Sequence, residues 1–423
     1  MLELGVIADD LTGGMMVASL LEREGVSCPL VTSADALARL DSEAQAVVIG
    51  RKIRLQAAPE AVADARLCGE ALLDKGVKRI YYKYSALFMS TDEGNIGPVS
   101  EALMALTGSD RVLFCPTWRG ATVYLGRLFV NDKLIHETAV SRDPATPMKN
   151  ANLVEVLQAQ SRVKTRLLPR RVLRSGIAAA QAHLAEAVAE GAAFFIVDAI
   201  EEGDVELAAG LVADSPLSTG ADWLPIFLAR NWQGEAARSE PKTLLPPAPG
   251  SEAVLAGSCS PKTNRQLKLF EADHELFRVD LVQAADDPDI VDRIIEWAAA
   301  RLDKGPVGIA TTTDHDGVER AQKVLGREGA AGLAEDILGR VTTRLYELGV
   351  RKFVVAGGET SGTVIDRLGI DQLRVSSFDE LGGGYCHADG GISLVTKAGG
   401  AGEEDFFLAA LLRMQEADRA GVS

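Results

Sequence analysis

The stretch KFVVAGGETSGTVIDRL, residues 352–368, gives the clearest indication of the fold class of this chain. It begins as an apolar run, passes through two adjacent glycines and a Glu-Thr-Ser triplet, and ends in an amphipathic helical pattern. A strand that turns through glycines into a helix is typical of parallel α/β sheets, and the glycines let a ligand approach the backbone. Thr360 and Ser361 are placed to cap the helix and to hydrogen-bond an anion such as phosphate. The stretch is not a Walker A loop.

The same alternation of apolar strands and helical segments runs along most of the chain. The predicted strands are Leu2–Ala8, Ser27–Val31, Ala46–Gly50, Lys78–Lys83, Arg111–Cys115, Ala193–Asp198, Ala253–Gly257, Glu275–Asp280, Pro306–Thr312 and Arg351–Ala356. One interruption, TVYLGRLFVNDKLIHETAV at residues 122–140, predicts a β-hairpin with its turn at NDK. We therefore expect an α/β protein of two domains, each with a mostly parallel β-sheet flanked by helices.

The domain boundary is predicted from length and composition. A chain of 423 residues exceeds what one hydrophobic core usually serves. Residues 239–252, SEPKTLLPPAPGSE, hold four of the 16 prolines and no hydrophobic period, which is typical of a linker. The expected domains are residues 1–238 and 253–423.

The net charge and the cysteine content indicate which partners and which cellular compartment to expect. With 44 Lys and Arg against 60 Asp and Glu, the formal net charge of −16 disfavours nucleic acid or an anionic membrane as partner. The five cysteines are scattered without a CxxC pair, which is typical of a reduced compartment. We expect a cytoplasmic protein that binds small molecules, and a homo-oligomer is left open.

The first motif that carries chemistry is ADDLTGG, residues 8–14, where the first strand ends. Adjacent carboxylates of Asp9 and Asp10 could position a hydroxyl, accept its proton or help to hold Mg²⁺. The alternative is an Asp-rich turn in which Thr12 caps the following helix. The sequence does not decide between these alternatives, and it identifies no metal site.

Two further motifs are helix starts with exposed backbone amides. STDEGNIGPVSEAL, residues 90–103, places Gly97 and Pro98 at a helix start that suits an anion, and its alternative is a plain turn before a helix. AGSCSPKTNRQL, residues 256–267, places Ser258 and a Ser260-Pro261 pair at a second such start. With the glycine loop KAGGAGEEDFF, residues 397–407, these turns favour a nucleotide-binding domain in the second half.

Taken together, these motifs resemble the four-carbon acid sugar kinase family, which includes 3-oxo-tetronate, D-threonate and D-erythronate kinases. ADDLTGG looks like the family's opening motif, and YYKY with STDEGNIGPVSEAL looks like its amino-domain segment. GSCSPKTNRQ, VVAGGETSGTVIDRLG and the loop from Lys397 look like its carboxy-domain signatures. The resemblance covers most of the chain.

The resemblance implies a kinase that transfers phosphate from ATP, with Mg²⁺, to a hydroxyl of a small sugar acid or related hydroxy acid. The first domain would bind the acid, the second would bind ATP, and the active site would lie in the cleft between the domains. Asp9 and Asp10 would be catalytic. The acceptor site would comprise Asp9, Asp10, Arg51, Arg54, Lys83, Ser90, Asn95 and Gly97. The ATP site would comprise Ser258, Gly357, Gly358, Glu359, Thr360, Ser361 and Gly402.

The chain departs from the family pattern mainly in the acceptor domain. Where the family reads Lys-Tyr-x-Ser-Thr-Phe-Asp-Ser-Thr, this chain has Ala86, Leu87 and Met89 in place of two hydroxyl residues and an acidic one. The family's Asp-Pro-Gly-Val-Pro becomes DELGGG at residues 379–384. We therefore expect an altered acceptor, since polar groups in a site set its specificity. The alternative is a catalytically impaired ATP-binding protein derived from such a kinase.

Overall fold

The computed structural model of the chain describes residues 2–41, 43–143, 146–232, 244–311, 315–379 and 384–421. The chain divides into two compact units, Met1–Glu240 and Pro241–Ser423. Each unit carries a mostly parallel sheet with helices around it, so the predicted two-domain α/β class is confirmed.

The strands of the amino-terminal unit are β1 (Leu4–Ala8), β2 (Leu30–Val31), β3 (Ala46–Gly50), β4 (Arg79–Lys83), β5 (Val112–Cys115), β6 (Ala121–Tyr124), β7 (Arg127–Val130), β8 (Lys133–Leu134), β9 (Lys164–Leu168), β10 (Ala192–Val197) and β11 (Leu217–Gly220). Its helices are α1 (Leu11–Arg23), α2 (Ala34–Arg39), α3 (Ala58–Asp74), α4 (Ile96–Thr107), α5 (Leu153–Gln160), α6 (Arg170–Leu173), α7 (Ile177–Ala189), α8 (Glu202–Leu211) and α9 (Leu224–Trp232). Short 3₁₀ turns cover Ile135–Glu137 and Ala139–Arg142.

The main sheet of this unit has the strand order β2-β3-β1-β4-β11-β5-β10-β9, and its strands pair in parallel. The apolar strands β1 and β3 are buried along their whole length, as expected for a parallel sheet covered on both faces. Helices α3 and α4 pack together on this sheet, and side chains such as Ile7, Leu72 and Leu103 form the core between them.

The predicted hairpin is confirmed, and one more strand joins it. Strands β6, β7 and β8 form a small antiparallel sheet. Asn131 and Asp132 have φ of 46° and 67°, the left-handed pair that a two-residue primed turn requires. Leu125 and Gly126, with φ of 50° and 72°, form the corresponding turn between β6 and β7.

The strands of the carboxy-terminal unit are β12 (Ser251–Ala256), β13 (Glu275–Arg278), β14 (Val307–Ala310), β15 (Val350–Ala356), β16 (Gln372–Val375), β17 (Tyr385–Ala388) and β18 (Ile392–Lys397). Its helices are α10 (Pro261–Asp273), α11 (Leu281–Ala284), α12 (Ile290–Ala299), α13 (His315–Leu325), α14 (Arg327–Glu347), α15 (Gly358–Arg367) and α16 (Phe406–Gly421), with a 3₁₀ turn at Leu302–Lys304.

Strands β13, β14, β12, β15 and β18 lie side by side in that order and pair in parallel. The sheet then continues with the antiparallel strands β17 and β16, which the sequence analysis did not predict. Helices α10 and α16 pack against each other, and Phe270, Phe407 and Met414 fill the core between them and the sheet.

Several predicted bounds differ from the observed ones. The first five residues of the predicted linker, 239–243, lie outside the described residues. Strand β12 begins at Ser251 and so includes the last two residues of the predicted linker. Strands β9 and β11 were not predicted, because KTRLL and LSTG carry few β-branched or aromatic residues. The departure from the family pattern at residues 379–384 falls mostly outside the described residues.

Candidate functional site

In the amino-terminal unit, the strand register brings the predicted acceptor residues to one edge of the sheet. Ala8, the last residue of β1, is level with Gly50 of β3 and with Lys83 of β4. Lys83 is in turn level with Gly220 of β11. The residues that follow these strands therefore meet at the carboxyl edge, where ligands bind in doubly wound sheets.

Asp9 and Arg54 are held together by both backbone and side chain. The carbonyl oxygen of Asp9 accepts hydrogen bonds from the amides of Ile53 at 3.0 Å and Arg54 at 3.2 Å, which fixes the turn after β3 over the end of β1. The Arg54 guanidinium then donates to both carboxylate oxygens of Asp9, at 2.8 Å each. Such a bidentate pair is among the stronger interactions that a carboxylate makes.

Asp10 is bound by the same guanidinium. Its Oδ1 lies 2.9 Å from Arg54 Nη2 and accepts a 2.9 Å hydrogen bond from the amide of Gly13. Burial alone would favour the neutral acid, but the charges of Arg54 and Lys83 together with the Gly13 amide hold the pKa of Asp10 below its usual value. Asp10 is therefore an ionised carboxylate, and its side chain is 21% exposed against 3% for Asp9.

The start of α1 differs from the prediction. Asp10, and not Thr12, is the N-cap residue, because its side chain accepts from the Gly13 amide. A Cβ atom at Gly13 would lie 2.4 Å from Asp10 Oδ1 and 3.0 Å from Lys83 Nζ. Glycine at this position thus allows both charged groups to approach the helix start.

Lys83 has a partner that the sequence analysis missed, Asp222. Lys83 Nζ lies 3.5 Å from Asp222 Oδ1 and donates to the carbonyl of Tyr84 at 3.0 Å. Burial raises the pKa of Asp222 despite the attraction of Lys83. Asp222 follows β11, so the rule that located Asp9 and Asp10 would have located it as well had this strand been predicted.

The remaining predicted acceptor residues are engaged by other protein groups. Arg51 donates from Nε and Nη2 to the two carboxylate oxygens of Asp64, at 2.7 Å each, and from Nη1 to the carbonyl of Thr32. Asn95 donates from Nδ2 to the carbonyls of Ile53, Arg54 and Gln56, and so braces the turn that carries Arg54.

Gln160 forms hydrogen bonds with two more of the predicted acceptor residues, Gly97 and Ser90. Its Oε1 accepts from the amide of Gly97 at 3.1 Å, and its Nε2 donates to Ser90 Oγ at 2.9 Å. A cavity of about 450 Å³ opens beside Ser90, with Met148 and Asn150 among its lining residues. Helix α4 begins at Ile96 with Asn95 as its N-cap residue, two positions before the predicted cap at Gly97 and first residue at Pro98.

The carboxy-terminal unit forms a second group of loops at the carboxyl ends of β12, β15 and β18. Ala256, Ala356 and Lys397 are level in the register. The amide of Gly357 donates to the carbonyl of Lys397 at 2.9 Å, and the amide of Ser258 donates to the carbonyl of Ala356 at 3.1 Å. The turns after the three strands are therefore tied together by main-chain hydrogen bonds.

Small residues are required where these turns touch. A Cβ atom at Gly399 would lie 2.3 Å from Ser258 Oγ, and one at Gly257 would lie 2.2 Å from Thr360 Oγ1. Gly357 and Gly402 have φ of 126° and 80°, in the left-handed region that favours glycine.

The helix starts in this unit match the predictions in part. Ser260 caps α10 by accepting from the amide of Thr263, and Pro261 is the first helical residue, as predicted. Helix α15, however, begins at Gly358 with Gly357 as N-cap residue and no side-chain cap. The prediction that Thr360 and Ser361 cap this helix is therefore wrong, and Ser361 Oγ donates back to the carbonyl of Gly357 at 2.7 Å.

Comparison with known proteins follows this division of the chain. The family description "Sugar-binding N-terminal domain" matches residues 4–223, and "Nucleotide-binding C-terminal domain" matches residues 253–407. A 3-oxo-tetronate kinase of Pseudomonas fluorescens is 39% identical over 417 residues, covering 96% of each chain. The chain belongs to the four-carbon acid sugar kinase family.

Further relatives agree with this assignment. A 3-oxo-tetronate kinase of Burkholderia multivorans is 36% identical, again over 96% of each chain. The crystal structure of a Salmonella typhimurium protein, 31% identical, superposes with a TM-score of 0.83 over 97% of this chain and 99% of that one. A Haemophilus influenzae crystal structure, also 31% identical, has a TM-score of 0.75 over 96% of this chain and 99% of that one.

The enzyme class is thereby confirmed: the chain is a phosphotransferase that acts on an alcohol group of a sugar acid or related hydroxy acid. No comparison supports the alternative of an impaired ATP-binding protein. Among the described residues, no helix is long and apolar enough to cross a membrane.

Proposed function

We propose that this kinase transfers the γ-phosphoryl group of ATP to a hydroxyl of 3-oxo-tetronate or a closely related four-carbon acid. The observation that carries the proposal is the cluster of Asp9, Asp10, Arg54 and Lys83 at one sheet edge, in a chain whose full-length relatives are named 3-oxo-tetronate kinase. The acceptor domain would be residues 1–238 and the nucleotide domain residues 253–423, in agreement with the two family descriptions.

The acceptor site assigns a separate role to each carboxylate. Asp9 and Asp222 are buried, and each is paired with one cation, Arg54 and Lys83 respectively. With three carboxylates (including Asp10) against two cations, the cluster has a formal net charge of −1. Asp10 is ionised and is the most exposed of the three carboxylates, so we assign to it the contact with the acceptor hydroxyl.

In the chemical step, Asp10 accepts a hydrogen bond from the acceptor hydroxyl and holds its oxygen in line with the γ-phosphorus of ATP. The hydroxyl oxygen forms the new bond to phosphorus, the bond from phosphorus to the β–γ bridging oxygen breaks, and ADP leaves. The hydroxyl proton passes to Asp10. A positioned base of this kind contributes roughly 10²–10⁴-fold to rate, and the rest of phosphoryl transfer is positioning and charge stabilisation.

The other predicted acceptor residues would act mainly by support. Asn95 would hold the turn that carries Arg54 by its hydrogen bond to the carbonyl of Ile53. Arg51 would hold the segment just before that turn by its ion pair with Asp64. Ser90 and Gly97 are linked by Gln160 beside the cavity, so this segment would form a wall of the acceptor site.

The nucleotide would bind over the turns of the carboxy-terminal unit. Ser258, the backbone of Gly357 and Gly358, and the first turn of α15 with Glu359, Thr360 and Ser361 present amides and hydroxyls at helix starts, where phosphate is favoured. Gly402 would close the site from the loop after β18.

Magnesium would enter mainly on the nucleotide. The described residues contain no group of three His, Cys, Asp or Glu side chains that could hold a metal ion. Mg²⁺ in kinases is commonly bound by one or two carboxylates and by phosphates and water. Glu359 is an exposed carboxylate and Asp10 a half-buried one, and either could contribute. The ion would supply charge compensation for the phosphates.

The proposal is tested by measuring ADP release with a panel of acids. The panel contains 3-oxo-tetronate, D-threonate, D-erythronate and C3–C6 hydroxy acids, each with ATP and Mg²⁺. We expect the highest kcat/KM with a four-carbon acid, and with 3-oxo-tetronate above the others. ATP binding without turnover of any acid would contradict the proposal, and faster turnover of D-threonate or D-erythronate than of 3-oxo-tetronate would reject this choice of acceptor.

A further inference from the structure

Lys397 is a buried lysine at the end of β18 that the prediction of the ATP site did not include. It is 3% exposed, and its Nζ donates to Thr263 Oγ1 and to the carbonyl of Gly399, both at 3.0 Å. Within the described part of the chain, no carboxylate forms an ion pair with it. An ammonium has three N–H donors, so two neutral acceptors satisfy only part of its hydrogen-bonding capacity and none of its charge.

The charged groups on the neighbouring segments do not neutralise the charge of the Lys397 ammonium. Lys262, on α10, is itself a cation and acts on Lys397 by repulsion. Arg265 on the same helix pairs with Glu404, and the ring of Phe406 lies 5.9 Å from Lys397 Nζ. The carboxylates in the loop after β18 and in the first turn of α15 are exposed: Glu359, Glu403, Glu404 and Asp405. Burial and the charge of Lys262 lower the pKa of Lys397 to about 8.

Lys397 lies beside the starts of two helices, α10 and α15. Ser260 Oγ and Thr263 Oγ1 donate to the same carbonyl of Gly399 that Lys397 contacts. The main-chain carbonyl of Lys397 itself accepts from the amide of Gly357, next to the start of α15. Lys397 thus lies where the turns before α10 and α15 meet, and both helix starts favour negative charge.

We propose that Lys397 binds the polyphosphate of the nucleotide with its ammonium group and that nucleotide binding is accompanied by uptake of a proton at Nζ. This inference rests on the nucleotide site proposed above. It assigns to Lys397 the role of compensating phosphate charge, while Ser258 and the α15 amides supply neutral donors.

The proton uptake follows from the charge balance. A phosphate anion next to Lys397 favours the charged amine and raises its pKa. Above pH 8 much of the free protein carries a neutral amine, so binding must take up a proton and the affinity for ATP must fall as pH rises. The last ionisation of a phosphate monoester lies near pH ~6, so the ligand contributes little to this dependence.

Calorimetric titration of the full chain with preformed Mg-ATP, without acceptor, measures the uptake directly. Titrations at pH 7, 8 and 9 are run in pairs of buffers that differ in ionisation enthalpy. We expect near zero protons at pH 7, about half a proton at pH 8 and close to one at pH 9.

Variants assign the proton to Lys397. Lys397→Met should raise the Kd for Mg-ATP by roughly 10–100-fold and abolish the uptake. Lys397→Arg keeps a charge that does not titrate, so it should bind without proton uptake and with little change of Kd from pH 7 to 9. Lys268→Met, an exposed lysine on the same helix as Lys262, is the matched control and should behave as wild type.

The outcomes separate the inference from the function on which it rests. Wild-type binding without proton uptake, or uptake that persists in Lys397→Met, overturns the inference and leaves the nucleotide site in place. Absence of ATP binding by the folded wild-type protein overturns the proposed function itself. Should Lys397→Met fail to fold, as judged by near-UV circular dichroism, the wild-type uptake and Lys397→Arg decide the question.

Discussion

The guanidinium of Arg54 spans both carboxylate oxygens of Asp9 and also reaches Oδ1 of Asp10. Asp9 is 3% exposed, so without Arg54 it would be a buried carboxylate with no cation bound to it. The adjacent aspartates therefore do different work although the sequence presents them as a pair. Asp9 fixes the cation, and the cation helps to keep Asp10 ionised.

Removal of Arg54 should destabilise the fold. Arg54→Met leaves the carboxylate of Asp9 buried beside an apolar side chain, and loss of one partner of a buried pair costs about 3 kcal/mol or more. Urea unfolding measures this loss as a drop in the free energy of unfolding. Adding Asp9→Asn to the same chain should recover part of it, whereas Arg66→Met, at an exposed arginine, should have little effect. Equal stability of wild type and Arg54→Met would contradict the pairing.

Asp10→Asn should abolish most activity without unfolding the protein. An asparagine can still cap α1 by accepting from the Gly13 amide, but it cannot take the hydroxyl proton. We expect kcat to fall by roughly 10²–10⁴-fold, with the Kd for ATP and the urea midpoint close to wild type. Asp10→Ser, which also caps helices, serves as a second test. A kcat near wild type in both variants would move the role of base to another group.

The parts of the site that follow predicted strands could be read from the sequence. Asp9, Asp10 and Arg54 follow β1 and β3, whose apolar runs are unambiguous, and the glycine turns of the second unit follow β12 and β15. Asp222 was missed because its strand, LSTG, has no such pattern. A residue's place at the sheet edge is thus predictable only as well as the strand before it.

The choice of partner within the site was not predictable in the same way. The side-chain amide of Asn95 donates hydrogen bonds to the carbonyls of Ile53 and Arg54, some 40 positions away in the chain. Helix caps failed for a related reason: Asp10 and Thr12 both suit the cap of α1, and the turn geometry after β1 selected Asp10. Lys397 could be located in its loop, but its burial and its contact with Thr263 depend on how three loops pack.

The pH dependence of stability should report on Asp222. Burial raises its pKa, so the folded protein keeps this proton to a higher pH than the unfolded chain does. The stabilising contribution is complete below the unfolded pKa of ~3.9 and is lost as pH rises through the folded value. In urea unfolding between about pH 4 and 7, the free energy of unfolding of wild type should therefore fall relative to that of Asp222→Asn as pH rises. A difference that is independent of pH would contradict this assignment.

Two neighbouring glycines give a matched test of the nucleotide loops. A methyl group at Gly399 would lie 2.3 Å from Ser258 Oγ, whereas at Gly400 it would meet nothing within 4 Å. Gly399→Ala should displace the loop from Ser258 and weaken ATP binding by roughly tenfold, which is ~1.4 kcal/mol. Gly400→Ala should bind as wild type. Calorimetry on both variants measures the difference, and equal affinities would exclude a role for this contact in the nucleotide site.

Met89 is the position at which acceptor preference should be open to change. Phe88 and Met89 have φ of 60° and 21°, a backbone region that Asp and Asn tolerate better than most residues. Met89→Asp should therefore fold, and it restores the acidic residue of the family pattern. Because a polar group in a site discriminates between acids that can and cannot bond to it, the ratio of kcat/KM for D-threonate or D-erythronate to that for 3-oxo-tetronate should change by about tenfold or more. Met89→Leu should leave the ratio as in wild type, and an unchanged ratio in Met89→Asp would show that this side chain does not face the acceptor.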